Sequence, residues 1–206
     1  MPSLETIVLR GTVVRLEPLG HEHADALVRA ADADRSSFGY TNVPADDAAM
    51  HSYIDTLLAD AAAGTAVPFV QRRLADGTVV GCTRFMDIQW WAGHDTPVEV
   101  EIGGTWLAAH AQRTSINTEA KLLMLRHAFE VWRTHRVAIC TDERNEQSRR
   151  AIERIGGRFE GVLRNHRPAA GHRTEVGSPR NTACYSMLPT EWPAVRDALE
   201  AELPAG

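Results

Sequence analysis

The sequence predicts a mixed α/β sheet built within one domain, and three observations lead there. Short runs rich in β-branched residues are punctuated by turn residues, as in "VPFVQRRLADGTVVGCTRF". A run of alternating apolar and acidic residues, "VEVEIGGTWLA", is followed by the helical stretch "NTEAKLLMLRHAFEVW". The order is strands, two helices, a meander of strands, then strand–helix–strand–helix–strand, the pattern of a sheet covered by helices. At 206 residues the chain can bury a substantial core without dividing. The expected domain spans 1–206, with a core over about 7–190 and a C-terminal helix over about 190–203.

The elements follow in turn. "TIVLRGTVVRLEPLG" holds two β-rich runs split by Gly11 and ends at a Pro-Leu-Gly turn. "HEHADALVRAADA" has helical apolar spacing, and the Ser/Gly/Tyr/Asn/Pro stretch after it is loop. "PADDAAMHSYIDTLLADAAAG" is a second helix, started by Pro44 or a neighbouring Asp and closed by Gly64. "VPFVQRRLA" and "TVVGCTRFMDIQWW" flank Asp76-Gly77, a hairpin signature. After "AGHDTP", Val98, Val100 and Ile102 alternate with Glu99 and Glu101, giving a strand with one apolar and one acidic face. In the next helix Leu122, Leu125, Phe129 and Trp132 fall on one side. Its expected N-cap is Asn117 or Thr118, with Glu119 at the positive end of the helix dipole. "RVAICTD" is a strand, "NEQSRRAIERIGG" a helix closed by Gly156-Gly157, and "RFEGVLRNHR" a strand. "AAGHRTEVGSPRN" is loop, "TACYSML" the last strand and "EWPAVRDALEAEL" the C-terminal helix.

Composition narrows the class. With 44% hydrophobic and 24% charged residues the chain reads as a soluble globular protein. A net charge of -5 runs against the basic stripe of a nucleic-acid binder. No apolar run reaches membrane-spanning length and "MPSLETIVLRG" lacks the apolar core of a signal peptide, so a cytoplasmic protein is expected. Cys82, Cys140 and Cys184 are far apart in sequence without metal-ligand spacing, and read as buried, structural free thiols. His21, His23, His94, His110 and His172 are scattered, and no metal site is expected. Trp90 and Trp91 either pack under the loop that follows them or line an acceptor pocket or dimer contact.

The stretch "HAQRTSINTEAKLLMLRHAFEVW" carries the chemistry. Small polar residues, with neither Gly nor Pro, stand ahead of a helix, where backbone N–H groups, the helix dipole and Arg113 can receive an anion. A nucleotide P-loop fails, because no Gly-Lys-(Ser/Thr) follows. The lead-in resembles the pyrophosphate loop of the GNAT superfamily of N-acetyltransferases, (Arg/Gln)-x-x-Gly-x-(Gly/Ala). Gln112 fills the first position, while Ser115 and Asn117 depart from the small-residue positions. The ordered set "VEIGGTWL", "NTEAKLLML", "RNEQSRRAIERIGGRFEGVLRNH" and "CYSML" is similar to the ribosomal-protein N-terminal (alanine) acetyltransferase branch, from about residue 7 to the end.

That resemblance implies a GNAT fold: a mostly antiparallel sheet of about seven strands, flanked by helices and splayed at two parallel central strands. The acyl-CoA sits in the splay, acetyl-CoA being the expected donor, with no metal. Gln112, Arg113, Thr114, Ser115, Ile116, Asn117 and Thr118 are expected around the pyrophosphate. The backbone of Gly104, Thr105, Trp106, Leu107 and Ala108 would bond the pantetheine, with "IGG" marking the bulge that opens the splay. Asn145 matches a pantetheine-bonding residue, and Ser148, one turn on, matches a residue near the sulfur that can serve as an acid. A plain helix cap is the alternative for Asn145. Arg149, Arg150 and Arg154 reach the CoA 3′-phosphate or form a solvated helix face.

Amine acetylation needs a base, a donor to polarise the thioester carbonyl and an acid for the thiolate, with no covalent intermediate. Glu101 is the first candidate base and Glu99 the second, because desolvation beside a cleft raises a carboxylate pKa. Some relatives carry a Glu on the strand after "EG"; here the neighbourhood reads Asn165, His166, Arg167, which makes His166 a substitute. Tyr185 either reaches the sulfur from the last strand or packs as a buried aromatic. The expected acceptor is an amine of a protein or small molecule, without nucleic acid or membrane; the resemblance leaves the oligomeric state open, homodimers being common in the family. A noncatalytic acyl-CoA-binding sensor or scaffold and a longer donor such as succinyl-CoA are the alternatives.

Overall fold

Along the chain come β1 (Leu9–Arg10), β2 (Val14–Pro18), α1 (Ala24–Asp32), α2 (Asp47–Ala62), β3 (Val67–Arg73), β4 (Val79–Gln89) and β5 (Glu99–Leu107). Then follow α3 (Ser115–Arg126), β6 (Arg136–Asp142), α4 (Glu146–Arg154), β7 (Arg158–Pro168), β8 (Pro179–Met187) and α5 (Trp192–Ala201). These belong to a computed structural model that describes residues 4, 7–32 and 34–204. The strands form one sheet in the order β1-β2-β3-β4-β5-β6-β8-β7. Every neighbouring pair is antiparallel except β5 and β6.

Local chemistry sets the ends of several elements. Asp46 caps α2 by accepting from Ala49 N at 2.8 Å, and Gly64 turns out of it at φ +72°. Asp76-Gly77 closes the β3–β4 hairpin, with Gly77 at φ +71° and Asp76 Oδ1 accepting from Thr78 N at 3.0 Å.

β5 is where the sheet opens. It pairs with β6 only at Glu99↔Arg136, Val100↔Val137 and Glu101↔Ala138. Beyond Glu101 both strands continue without pairing to each other, so they diverge. The cause lies on the other side of β5, where Arg84 faces Gly103 and Cys82 faces Trp106, leaving Gly104 and Thr105 together opposite one residue. Gly104 sits at φ +57°, a region glycine enters without strain. A Cβ there would also lie 2.5 Å from Arg84 Nη1, so glycine makes room for that guanidinium.

The bulge switches the parity of β5. Val100, Ile102 and Leu107 join the core under α3 and α5, whereas Trp106 joins the core under α1 and α2. Both faces of β5 are therefore covered, and the face expected to be acidic and open holds a buried Glu101.

Helix α3 begins earlier than its N-cap residues suggest. Thr114, not Asn117 or Thr118, is the cap, accepting from Ile116 N at 3.3 Å and donating to Ala111 O at 2.7 Å. Burying Ile116 requires the helix to be under way by that residue. Glu119 consequently stands beyond the first turn, where it is buried. Its carboxylate accepts from Thr12 N, Thr12 Oγ1, Val13 N and Val14 N at 2.7–2.8 Å, tying the β1–β2 turn to α3. Gly11 allows that approach, since a Cβ there would meet the carboxylate at 2.2 Å.

Candidate active site

Two cavities meet in the splay, sharing Thr41, Thr105, Asn117, Asn145, Ser148 and Ala151. The larger, about 850 Å³, runs out past the end of β5 and the first turn of α3. The smaller, about 370 Å³, reaches between β4, β5, β6 and the β7–β8 pair on the face that carries α1 and α2. Both are of ligand size.

The outer channel gathers most of the expected donor-binding residues: Thr105, Trp106, Leu107, Gln112, Arg113, Thr114, Ser115, Asn117, Thr118, Asn145, Ser148 and Arg154. Gly104 lines the inner cleft. Ile116 is the exception, because its side chain is core and its N–H is occupied by Thr114. Gln112 acts as a strut, donating to Leu107 O at 2.9 Å and Ser37 Oγ at 2.7 Å. Arg113 is exposed at φ +58° where the chain turns into α3. The N–H groups of Ser115 and Asn117 have no hydrogen-bond partner among the described residues. An anion at this helix start meets free donors and the positive end of the dipole. Arg154 bridges Thr118 Oγ1 at 3.2 Å and Glu202, and Arg150 pairs with Glu146 at 3.1 Å.

At the junction Asn145 caps α4, its Oδ1 accepting from Ser148 N at 3.1 Å. The cap uses the carbonyl oxygen alone, and the side-chain NH₂ has no protein partner among the described residues. Ser148 also lines both cavities.

Three candidates do not line the inner cleft. Glu99 lies outside it, paired with Arg136 at 3.0 Å before the strands diverge. Tyr185 faces the opposite side of the sheet, because side chains alternate along β8; its OH accepts from Arg149 Nε at 3.0 Å and donates to Glu153 Oε1 at 3.1 Å. His166 is exposed and lines neither cavity. Its neighbour Arg167, opposite Arg180 in the β7–β8 ladder, enters the cleft in its place.

Glu101 is in the cleft, but not free. Arg167 donates Nη1 to Oε1 at 2.9 Å and Nη2 to Oε2 at 2.6 Å, so both carboxylate oxygens are engaged. Those bonds hold the Arg167 pKa above the ordinary arginine value. The cysteines are also rearranged. Cys140 and Cys184 are distant in sequence yet face each other across β6 and β8, Sγ to Sγ 3.5 Å. Cys140 lines the cleft, and burial pushes its thiol pKa up, away from the nucleophilic thiolate. Trp90 packs against the core, while exposed Trp91 stacks on His135 at 5.7 Å; neither lines a cavity.

A sequence profile of the acetyltransferase (GNAT) domain family matches residues 14–158. The chain belongs to the GNAT acetyltransferase family. A GCN5-related N-acetyltransferase from Brucella melitensis is similar over 97% of this chain and 86% of that one, with a TM-score of 0.83 and 31% identity. RimJ of Mycobacterium smegmatis, solved in complex with CoA-disulfide, gives a TM-score of 0.74 at 26% identity, over 94% of this chain and 90% of that one. YdaF of Bacillus subtilis (strain 168), named provisionally as a ribosomal N-acetyltransferase, is 35% identical over 89 residues, 43% of this chain. The matched stretch spans 45% of YdaF, less than half its length.

Three residues of this GNAT cleft escape sequence reading. Lys121 is buried with no carboxylate partner among the described residues, donating to Thr105 Oγ1 at 2.6 Å and Thr83 Oγ1 at 3.3 Å. Burial pushes its pKa down to about 7. Its spacing from Asn117, one helical turn earlier, is the signal that could have found it. Arg84 and Arg180 also line the cleft. In sequence Arg84 is a single strand residue and Arg180 falls in the stretch read as loop, although β8 begins at Pro179, and only the pairing of strands brings them together. Among the described residues no helix is long and apolar enough to cross a membrane.

Proposed function

We propose that this GNAT domain transfers the acetyl group of acetyl-CoA directly to a primary amine of a protein or small molecule. The meeting of the two cavities at Thr105, Asn117, Asn145 and Ser148 carries the reading, since it joins an anion-receiving channel to a polar cleft at one point. The CoA ligand of RimJ supports the donor, and the provisional name of YdaF supports a protein acceptor.

In this reading Ser115, Asn117 and Arg113 hold the pyrophosphate, while Asn145 NH₂ and the backbone from Gly104 to Ala108 hold the pantetheine. Glu101 is the one acidic side chain among the described residues of the inner cleft, and it draws the acceptor ammonium. A proton passes from nitrogen to Glu101, directly or through a water, as one carboxylate oxygen exchanges Arg167 for the amine. The free amine attacks the thioester carbonyl carbon. The C–N bond forms, the C–S bond breaks with its electron pair on sulfur, and the second proton that the nitrogen sheds reaches the thiolate through Ser148 Oγ, which gives its own proton to sulfur and takes the one from nitrogen, or through solvent. Nothing in this sequence needs Cys140.

The test is release of free CoA thiol from acetyl-CoA with a panel of amines, paired with mass detection of the acetylated product. Turnover with at least one amine is expected. Acetyl-CoA binding without transfer to any amine on the panel overturns the reading.

A further inference from the structure

The inner cleft is basic, although the whole chain carries a net charge of -5. Its described lining side chains include Arg84, Arg167, Arg180 and Lys121, against Glu101 as the one acidic group. Arg167 and Glu101 neutralise each other. That leaves Arg84 on β4 and Arg180 on β8, on opposite walls of the cleft, with no carboxylate in ion-pair contact among the described residues. Arg180 is the more telling. Its Cα stands opposite that of Arg167 in the β7–β8 ladder, so two guanidinium-bearing residues are cross-strand neighbours. Its Nε is fully buried without a hydrogen-bond partner among the described residues. Burial depresses its pKa, which marks the cost of holding that cation desolvated. Arg84 is held at the splay by the absence of a side chain at Gly104.

We propose that the inner cleft selects an amine that also carries a carboxylate, the ammonium facing Glu101 and the carboxylate taken by Arg180 and Arg84. This rests on the acyltransferase reading above and names the chemical class of its acceptor. A desolvated guanidinium with no ion-pair partner among the described residues, and only the more distant charges of Asp142 and Glu101 to offset it, gains most from a planar anion that can accept two of its N–H bonds. Glu101 supplies the opposite charge, so the cleft complements a zwitterion. Two sources present that chemistry: a free amino acid, and a peptide N-terminus with an acidic residue close behind the amine.

The experiment compares matched acceptors with acetyl-CoA: free amino acids against their amides, and peptides beginning Ala-Asp or Ala-Glu against Ala-Asn or Ala-Gln. Wild type is expected to favour the carboxylate member by roughly 10- to 100-fold in kcat/KM, the scale of a charge-assisted hydrogen-bond pair. The series showing the preference identifies the source. Arg180→Gln and Arg84→Gln are expected to remove it through the acceptor KM, leaving the KM for acetyl-CoA and the melting temperature near wild type. Arg180→Lys restores part of the preference through its charge. Equal use of acid and amide overturns the inference, as does a preference that survives both glutamine variants. Better turnover with succinyl-CoA than acetyl-CoA on neutral amines, lost in Arg180→Gln, also overturns it by assigning the arginines to the donor. Transfer to no amine at all overturns the acyltransferase reading and this inference together, whereas transfer without a carboxylate preference overturns the inference alone.

Discussion

The outer channel and the inner cleft are built by different means. The channel is lined chiefly by a few short stretches, each local in the chain: the end of β5, the first turn of α3 and the start of α4. Its anion-receiving elements are N–H groups of Ser115 and Asn117, whose position is fixed by helix geometry whatever side chain they carry. The cleft is instead made of side chains from β4, β5, β7 and β8, held by ion pairs such as Glu101–Arg167. A backbone site tolerates substitution, which accounts for Ser115 standing where the GNAT loop has glycine. A side-chain site tolerates little, because removing one partner strands the other charge.

The largest break in that contrast is expected at Glu101. Glu101→Gln keeps the shape but removes the proton acceptor, and turnover should fall by roughly 10² to 10⁴. The channel does not use this carboxylate, so CoA affinity by calorimetry should hold. Loss of CoA affinity together with turnover would mean that the two regions are one cooperative unit.

Lys121 sharpens the contrast through pH. It lies against the cleft wall, and burial moves its pKa from 10.5 to about 7. Between those values the unfolded chain binds a proton that the folded chain has released, so stability rises with pH across that window. Below pH 7 both states are protonated and the burial penalty is present in full. Urea midpoints of wild type should therefore climb between pH 7 and about 8.5, by on the order of 2 kcal/mol in unfolding free energy, below the range where the buried thiols of Cys82 and Cys140 pull the other way. Lys121→Met should lack that climb and be more stable at pH 7. A wild-type profile as flat as the variant's shows that the ammonium is solvated in the folded protein.

The same division explains what could be read in the sequence. The Asp76-Gly77 hairpin, the Gly64 cap and the Leu122/Leu125/Phe129/Trp132 stripe depend on neighbours a few positions away, and the sequence displays those neighbours. The helix start that follows Gln112 was legible for the same reason, although the cap is Thr114 and not Asn117 or Thr118. Glu99 and Glu101 look equivalent along the strand. They separate only because β6 departs after Glu101, a fact of strand pairing. Arg167 rather than His166 enters the cleft because it stands opposite Arg180 in the β7–β8 ladder, and Cys140 meets Cys184 across the β6–β8 ladder. Arg84, Arg180 and Lys121 acquire meaning from a shared cavity, which no local pattern encodes.

A smaller effect tests the channel itself. Ser115→Glu puts a carboxylate at the first residue of α3, where it favours the helix dipole by about 0.3–1 kcal/mol. The same charge opposes an incoming pyrophosphate. Melting temperature should be unchanged or slightly raised while CoA affinity falls roughly tenfold or more. Opposite signs on stability and binding are the mark of a helix-terminus anion site. Unchanged affinity by calorimetry removes the phosphate from this loop.

The smallest effect separates two jobs held by one residue. Asn145 Oδ1 caps α4 through Ser148 N, and its NH₂ is free at the junction of the cavities. Asn145→Ala removes both functions, so it should cost about 1 kcal/mol of stability and weaken CoA binding by a similar amount. Asn145→Asp keeps a good cap, because aspartate accepts from the same N–H and suits the dipole, but it loses the amide donor. Its stability should match wild type while CoA affinity drops as far as in the alanine variant or further. Ser148→Ala touches neither the cap oxygen nor the pantetheine donor, so its loss should appear in turnover with CoA affinity near wild type. If Asn145→Asp binds CoA as wild type does, the residue is a helix cap alone, and the pantetheine must be held by the β5 backbone without it.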